Sequence, residues 1–420
     1  MKKFFQYAFA AVIAVSAFTS CSDDDDPVVP GANIENKSYT ATDGLNLVVN
    51  GEPLVGKTVT FTKGADDNAT IKLAGEGFDL SSIMGQIGTK AEIQQPGLMV
   101  PTCGVIPGSP EYEFQVKLIG TGDECVFEGG EETEYCTFKY SGKVTKDALD
   151  FNITDLKLKN TSLAGTSWSP YSYEAEDWYG EMQTNYQDIY VGWDSEKNIE
   201  VFPGWSLQPG TLVAMALAMT PVVVNESTMT IHQALGTALQ EVSFTEDGNI
   251  RAKYIDFANG ETTPKDSPLN VCQYVITDNG KLLLYLNPAT IIASIAQNAA
   301  KSRAVDYTTA ISQALEVLLP YLRNGFPMVY GEYTGESYDF PDEGATPIYF
   351  ALPTEVMVPI LKILSPILAD PDVQAQLVEM ASKDPNMGSL AGMLPGILSA
   401  LPDVVAKTSK CEVGLFMMQN

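Results

Sequence analysis

The residues of this chain whose types and spacing most suggest chemistry are aromatic. All four tryptophans, Trp168, Trp178, Trp193 and Trp205, fall within one stretch of 38 positions, among Tyr171, Tyr173, Tyr179, Tyr186 and Tyr190. Each ring joins a flat apolar face to a polar tip, which suits stacking on a sugar ring or another flat ligand. Trp178 and Tyr179 sit in an acidic, loop-like context with Glu174, Glu176, Asp177 and Glu181, whereas Trp193 follows Tyr190 and Val191 on a predicted strand. Trp178, Tyr179, Trp193 and Trp205 are therefore the candidate ligand-binding residues. The competing expectation is that these rings fill the core of a second β unit.

Other chemistry is sparse. His232 is the only histidine, in a Thr-Ile-His-Gln context that does not mark it as a base, and its expected place is the surface or a satisfied interior position. The chain lacks a G-x-S-x-G elbow and a Walker-type phosphate loop, so no catalytic residue is assigned. Two carboxylates suffice for glycoside hydrolysis, but with 53 acidic residues the spacing selects no pair. The acidic loops Asp66-Asp67-Asn68 and Asp339 to Glu343 do not follow the D-x-D-x-D-G calcium pattern. No metal and no cofactor are expected. Cys125 and Cys136 lie symmetrically about Gly130-Glu131 and form a candidate disulfide across a hairpin. Cys272 with Cys411 is a second pairing if a last strand lies beside Val271 to Thr277, which leaves Cys103 over; buried free thiols are the alternative.

These residues need elements to position them. The 420 residues carry 25 Lys plus Arg against 53 Asp plus Glu, a net charge of −28 and a pI near 4.2, with 45% hydrophobic and 19% charged residues. That is the composition of a folded protein of about two or three domains, and its charge repels phosphate, which excludes nucleic acid and anionic headgroups as partners. From residue 34 to 160 the pattern has period two: Leu45, Leu47 and Val49 run to Asn50-Gly51, a dipeptide suited to a type I′ turn. Val59 and Phe61, Ile71 and Leu73, Phe114, Val116 and Leu118, Phe138 and Tyr140, and Leu149, Phe151 and Ile153 continue it. About eight strands predict a meander closed into a barrel or folded into a sandwich, with a short helical lid over Ser81 to Gln86. A second β unit spans 161–420, its strands at Ile189 to Trp193, Glu241 to Thr245, Asn249 to Ile255, Val271 to Thr277 and Lys281 to Asn287. Helical spacing then takes over at about 288–407, with apolar stripes at Ile291, Ile295 and Ala299, at Ile311, Leu315, Leu318 and Leu322, and onward; Val413 to Met418 can return as a strand. The expected class is mainly β with added helices (α+β).

The N-terminus reads as an address. Lys2, Lys3 and the apolar run Phe4 to Phe18 have the layout of a signal peptide over 1–20. Phe18-Thr19-Ser20-Cys21 resembles the relaxed lipobox of Bacteroidota lipoproteins, which implies lipid attachment at Cys21. Ser22, Asp23, Asp24, Asp25 and Asp26 resemble the acidic signal that exports such proteins to the outer face of the outer membrane, and residues 21–33 would be the tether. The 34–160 stretch resembles the calycin-like (lipocalin-like) β-barrel domain of these lipoproteins through Asn50-Gly51, Gly56 to Phe61, Ala69 to Leu73 and Gly142 to Phe151. The resemblance implies a lipid-anchored surface protein of unassigned function. The expected role is non-enzymatic binding of a glycan or a small hydrophobic or flat ligand. Docking on a surface protein partner ranks second, and a two-carboxylate glycosidase third.

Overall fold

The computed structural model describes residues 29–420 apart from 80–98, 101, 178, 270, 288–307, 336–339, 342–345 and 384–390. The signal peptide, Cys21 with its acidic run, the lid over Ser81 to Gln86, Trp178 and the stripe Ile291, Ile295 and Ala299 lie outside the described residues.

The N-terminal strands form two facing sheets. One orders Lys37–Thr40, Lys57–Lys63, Asn68–Gly75 and Glu111–Lys117; the other orders Glu52–Pro53, Leu45–Val49, Leu149–Leu158, Cys136–Thr145, Glu124–Glu132 and Ile119–Gly120. Alternation decides which side chains meet between them. Val59, Phe61, Ile71, Leu73 and Phe114 of the first sheet are buried against Phe138, Tyr140, Phe151 and Ile153 of the second, with Phe114 4.6 Å from Tyr140 between ring centroids. Asn50 and Gly51 both take positive φ, 48° and 87°, and turn Val49 onto Glu52 as the dipeptide predicts.

The closed barrel is the second unit. Eight strands follow one another antiparallel in chain order: Thr166–Pro170, Leu239–Phe244, Asn249–Tyr254, Cys272–Ile276, Leu282–Leu286, Phe326–Glu332, Ile348–Leu352 and Thr408–Gln419. The last strand pairs back onto the first through Trp168 and Gln419. This up-and-down closure is consistent with a calycin-like barrel. The mainly β class with helices and a barrel holds, but the position expected for the barrel is corrected. Residues 34–160 take the sandwich alternative: Leu149–Leu158 pairs in parallel with Leu45–Val49 inside one sheet, and among the described residues no ladder joins the two sheets.

The helical region is also corrected in detail. Helices at Thr308–Asn324, Thr354–Leu368, Pro371–Lys383 and Leu394–Ala406 lie where the spacing placed them, but the barrel strands Phe326–Glu332 and Ile348–Leu352 interrupt them. Val329, Tyr330, Ile348, Tyr349 and Phe350 are β-branched or aromatic and favour the pleated surface. Two further helices, Pro209–Met219 and Ile231–Ala238, are absent from the sequence reading. The first has no polar face to mark a helical period, its eleven residues being PGTLVAMALAM.

One core runs from the sandwich into the barrel, joining Ile106, Leu118 and Leu158 to Trp168, Phe244, Tyr274 and Tyr285. A polar chain crosses the same junction. Lys57, 2% exposed, donates from Nζ to the Cys103 carbonyl at 2.5 Å, and the Cys103 thiol donates to the Tyr285 carbonyl at 2.9 Å. Burial pulls the Lys57 ammonium down to about 8 and pushes the Cys103 thiol up to about 11.

Neither expected disulfide forms. Cys125 and Cys136 are both free and buried. The hairpin turns between Glu132 and Cys136 rather than at Gly130-Glu131, so Cys125 faces Val144. Eight strand residues from Val144 back to Cys136 put the two thiols roughly 25 Å apart. The last strand does return, yet three barrel strands separate Cys411 from Cys272.

Two outcomes are expected. Lys57 holds fewer protons folded than unfolded between its lowered value of about 8 and its ordinary 10.5, so its destabilising effect is full below that window and is relieved as pH rises through it. Wild type measured against Lys57→Met in urea should therefore gain about 2 kcal/mol between about pH 7 and 9.5; a difference independent of pH would refute the buried ammonium. Alkylation of the unfolded, unreduced protein should label Cys103, Cys125, Cys136, Cys272 and Cys411, and a protected pair seen by peptide mass spectrometry would contradict the free thiols.

Candidate functional site

The last strand has two neighbours along one edge. Its C-terminal part pairs with Thr166–Pro170 and its N-terminal part with Ile189–Ser195, in register from Ile189 against Leu415 to Trp193 against Cys411. Ile189–Ser195 thus ends the sheet. The helix Pro209–Met219 lies against it, and the Ser195 amide donates to the Gln208 side chain at 3.4 Å. Gly210 makes this approach possible, since a Cβ there would come within 2.8 Å of the Trp193 carbonyl oxygen.

Between these elements, the hairpin Ser172–Glu176 with Met182–Tyr186, and the helix Ile231–Ala238 opens a cleft of about 670 Å³. Tyr173, Tyr186, Tyr190, Trp193 and Tyr333 supply rings; Asn185, Gln187 and Gln208 supply amides; Ala214, Met215 and Ala218 supply an aliphatic wall; His232, Lys410 and Asp194 are the ionisable groups besides the tyrosines. Asp194 is the only carboxylate among the described lining residues. The helix bearing His232 starts at a capping box in which Thr230 and Gln233 satisfy each other's backbone amides. Gly236 on that helix lets the Tyr186 ring lie against it, since a Cβ there would sit 2.0 Å from a ring carbon.

The polar groups of the cleft are already tied. The Nδ1 of His232 lies 2.7 Å from Oδ1 of Asp188, whose residue is 0% exposed. Burial pushes the Asp188 carboxyl up, opposed by the hydrogen bond and charge of His232. Its second oxygen, Oδ2, is buried without a hydrogen-bond partner. The Tyr190 hydroxyl donates to Oε2 of Glu412 at 2.9 Å and accepts from the Lys410 ammonium at 3.2 Å. Burial and the Glu412 carboxylate raise the Tyr190 hydroxyl far above its ordinary value, so it stays protonated. Trp193 donates from Nε1 to the Thr408 hydroxyl at 2.9 Å.

Of the sequence-predicted residues, the structure brings Trp193 into the cleft, 8% exposed. Trp205 stands outside it, stacked on Phe202 with centroids 5.7 Å apart and 43% exposed, and Tyr179 is 87% exposed at the tip of the Ser172–Tyr186 hairpin. Trp168 packs edge-on to Phe350 in the barrel core. The alternative expectation of core aromatics thus holds for Trp168, and the ligand-facing one keeps its geometry at Trp193. His232 takes the satisfied interior position expected as one of its two places, while sequence reasoning passed over Asp188, Lys410 and Tyr333. The one available signal was the uniqueness of the histidine, because its partner lies 44 positions away. No cluster of metal-ligating residues occurs among the described residues, and no described helix is long and apolar enough to cross a membrane. Comparison with protein families, with curated proteins and with solved structures finds no match for this chain.

Because Tyr186 rests on Gly236, the variant Gly236→Ala should displace that ring and lower stability by about 1–3 kcal/mol, as overpacking does. Urea unfolding checks this; unchanged stability would mean that the ring does not pack there.

Proposed function

We propose that the chain is a binding protein that holds a small ring-bearing molecule, a glycan unit or a flat apolar compound, in the cleft beside Ile189–Ser195. The observation that carries this reading is the cleft itself: about 670 Å³, with four tyrosines and a tryptophan next to three side-chain amides. That volume lies in the range of small-ligand sites, and such sites combine apolar walls with a few fixed polar groups. The N-terminal features support a location for it. Lipid on Cys21 and the acidic run Ser22 to Asp26 would tether the protein to the outer membrane, facing outward, as in the Bacteroidota surface lipoproteins those residues resemble.

A second reading, docking of a surface protein partner, is favoured by the uncharged helix Pro209–Met219 and its surroundings. Met219 is 70% exposed, Val223 67%, Phe202 51% and Trp205 43%. Exposed apolar side chains of this size are the material of interaction surfaces.

Tryptophan fluorescence of the protein titrated with oligosaccharides, bile acids, haem and fatty acids tests the first reading, since Trp193 reports from the cleft. A saturable change is expected with one class, and Ala214→Phe, which puts a ring into the cleft, should weaken that binding at least about tenfold, the loss of roughly one good contact. A flat response to the whole panel, in fluorescence and in calorimetry, would sink the small-ligand reading and leave the protein partner.

A further inference from the structure

The chain has one histidine, and it stands where the cleft meets a wholly buried carboxylate. Asp188 Oδ1 holds His232 Nδ1 at 2.7 Å, while Oδ2 has no partner. His232 lines the cleft, and with Nδ1 engaged the ring nitrogen it has left to offer is Nε2. Whether that nitrogen donates or accepts depends on how many protons the pair holds. With no extra proton the pair is a carboxylate and a neutral ring carrying its hydrogen on Nδ1, so Nε2 accepts. With one extra proton the pair is neutral overall, and two arrangements exist: carboxylate with imidazolium, or carboxylic acid donating to Nδ1 of a neutral ring. Both place a hydrogen on Nε2.

Burial selects between these states. A carboxylate with no exposed surface and one orphaned oxygen is costly unless a charge or a proton compensates it, and burial indeed drives the Asp188 carboxyl upward. A proton shared within the pair offsets that cost, and a pair that holds it presents Nε2–H to acceptors in the cleft. The surroundings do not reverse this. The elements packed against the histidine helix add Tyr186 and Glu241 as titratable groups, the Ile189–Ser195 strand adds Tyr190 and Asp194, and the last strand adds Lys410 and Glu412. Glu412 is engaged by Tyr190 and Lys410, and Lys410 is the one lysine or arginine among the described lining residues.

We propose that the cleft binds an organic carboxylate carried on a ring-bearing body, its oxygens received by His232 Nε2–H and by the Lys410 ammonium, with Asp188 as the positioning residue that keeps Nε2 a donor. This rests on the cleft being a ligand site. The chemistry is shared by two sources, a uronic acid of a glycan and a steroid or aromatic acid, and the test separates them.

Full-length protein labelled with ¹⁵N-histidine gives a single imidazole, so its tautomer is read without assignment. At neutral pH Nε2 should carry hydrogen. Two matched pairs serve as probes: methyl glucuronoside with methyl glucoside, and cholate with its neutral amide. In the arm that binds, the acid should be favoured at least about tenfold, as for a hydrogen bond to a charged group, and should move the Nε2 resonance. Asp188→Leu, which leaves Nδ1 without its anchor, should lower the acid preference, whereas Asp188→Asn, whose amide can donate to Nδ1, should keep a hydrogen on Nε2. Lys410→Met should weaken the acid and spare the neutral partner. An unprotonated Nε2 in the wild type, or equal affinity for acid and neutral partner, overturns the carboxylate assignment while leaving the cleft a binding site. Absence of binding by all four probes, in fluorescence and calorimetry, overturns both.

Discussion

Closure of the barrel by the last strand is the constraint on which the rest of the molecule depends. An open sheet leaves a row of amides and carbonyls that must find partners, and Thr408–Gln419 removes that need by pairing with Ile348–Leu352 on one side and returning to Thr166–Pro170 on the other. The strand is twelve residues long and its first neighbour only five, so half of that edge stays open. Ile189–Ser195 fills it and itself becomes an edge. Covering this second edge takes the helix Pro209–Met219, started by Gln208 and brought close by Gly210. The cleft is the space that this chain of coverings leaves between strand, helix and hairpin.

The junction between sandwich and barrel is held in a different way. Sandwich and barrel share apolar core residues, yet their junction also buries an ammonium, Lys57, on a single backbone carbonyl. A buried charge with one partner is weak evidence for stability, and an apolar residue of similar shape often serves better. What the lysine does is fix the Cys103 backbone, whose thiol in turn meets the Tyr285 carbonyl across the junction. The thiol is held in its neutral form by burial, so it acts as a small packed donor and not as a nucleophile.

Local features of the sequence were legible where a local interaction decides the structure. Asn50-Gly51 tolerates two consecutive positive φ angles and so announces its hairpin. The period-two runs of the sandwich show through because one face of each strand is buried. Phe326–Glu332 and Ile348–Leu352 were submerged in a helical pattern, since five-to-seven-residue strands flanked by helices leave little periodicity of their own. Closure was beyond reach for a related reason. Nothing in residues 34–160 says that Leu149–Leu158 returns in parallel beside Leu45–Val49, and so the alternation, which suits a barrel or a sandwich alike, did not choose the sandwich. The aromatic segment mixed three fates under one composition: Trp168 in the core, Trp193 in the cleft, Trp205 exposed. Asp188 and His232 are two unremarkable residues until the fold brings a strand end and a helix start together.

That pairing also bears on the binding role proposed for the cleft. Side-chain freedom lost on binding weakens affinity by about 0.5–1.5 kcal/mol for each ordered group, and here His232 is tied to Asp188, Tyr190 to Glu412 and Trp193 to Thr408, so a ligand of the proposed kind would meet groups already ordered. Two of these tethers, Glu412 and Thr408, sit on the last strand and a third, Asp188, immediately precedes the strand beside it. The backbone that closes the barrel therefore also sets the orientation of the rings and donors in the cleft. A change that loosens closure, even far from the cleft, would free those groups together, because the same hydrogen-bonded ladder carries both.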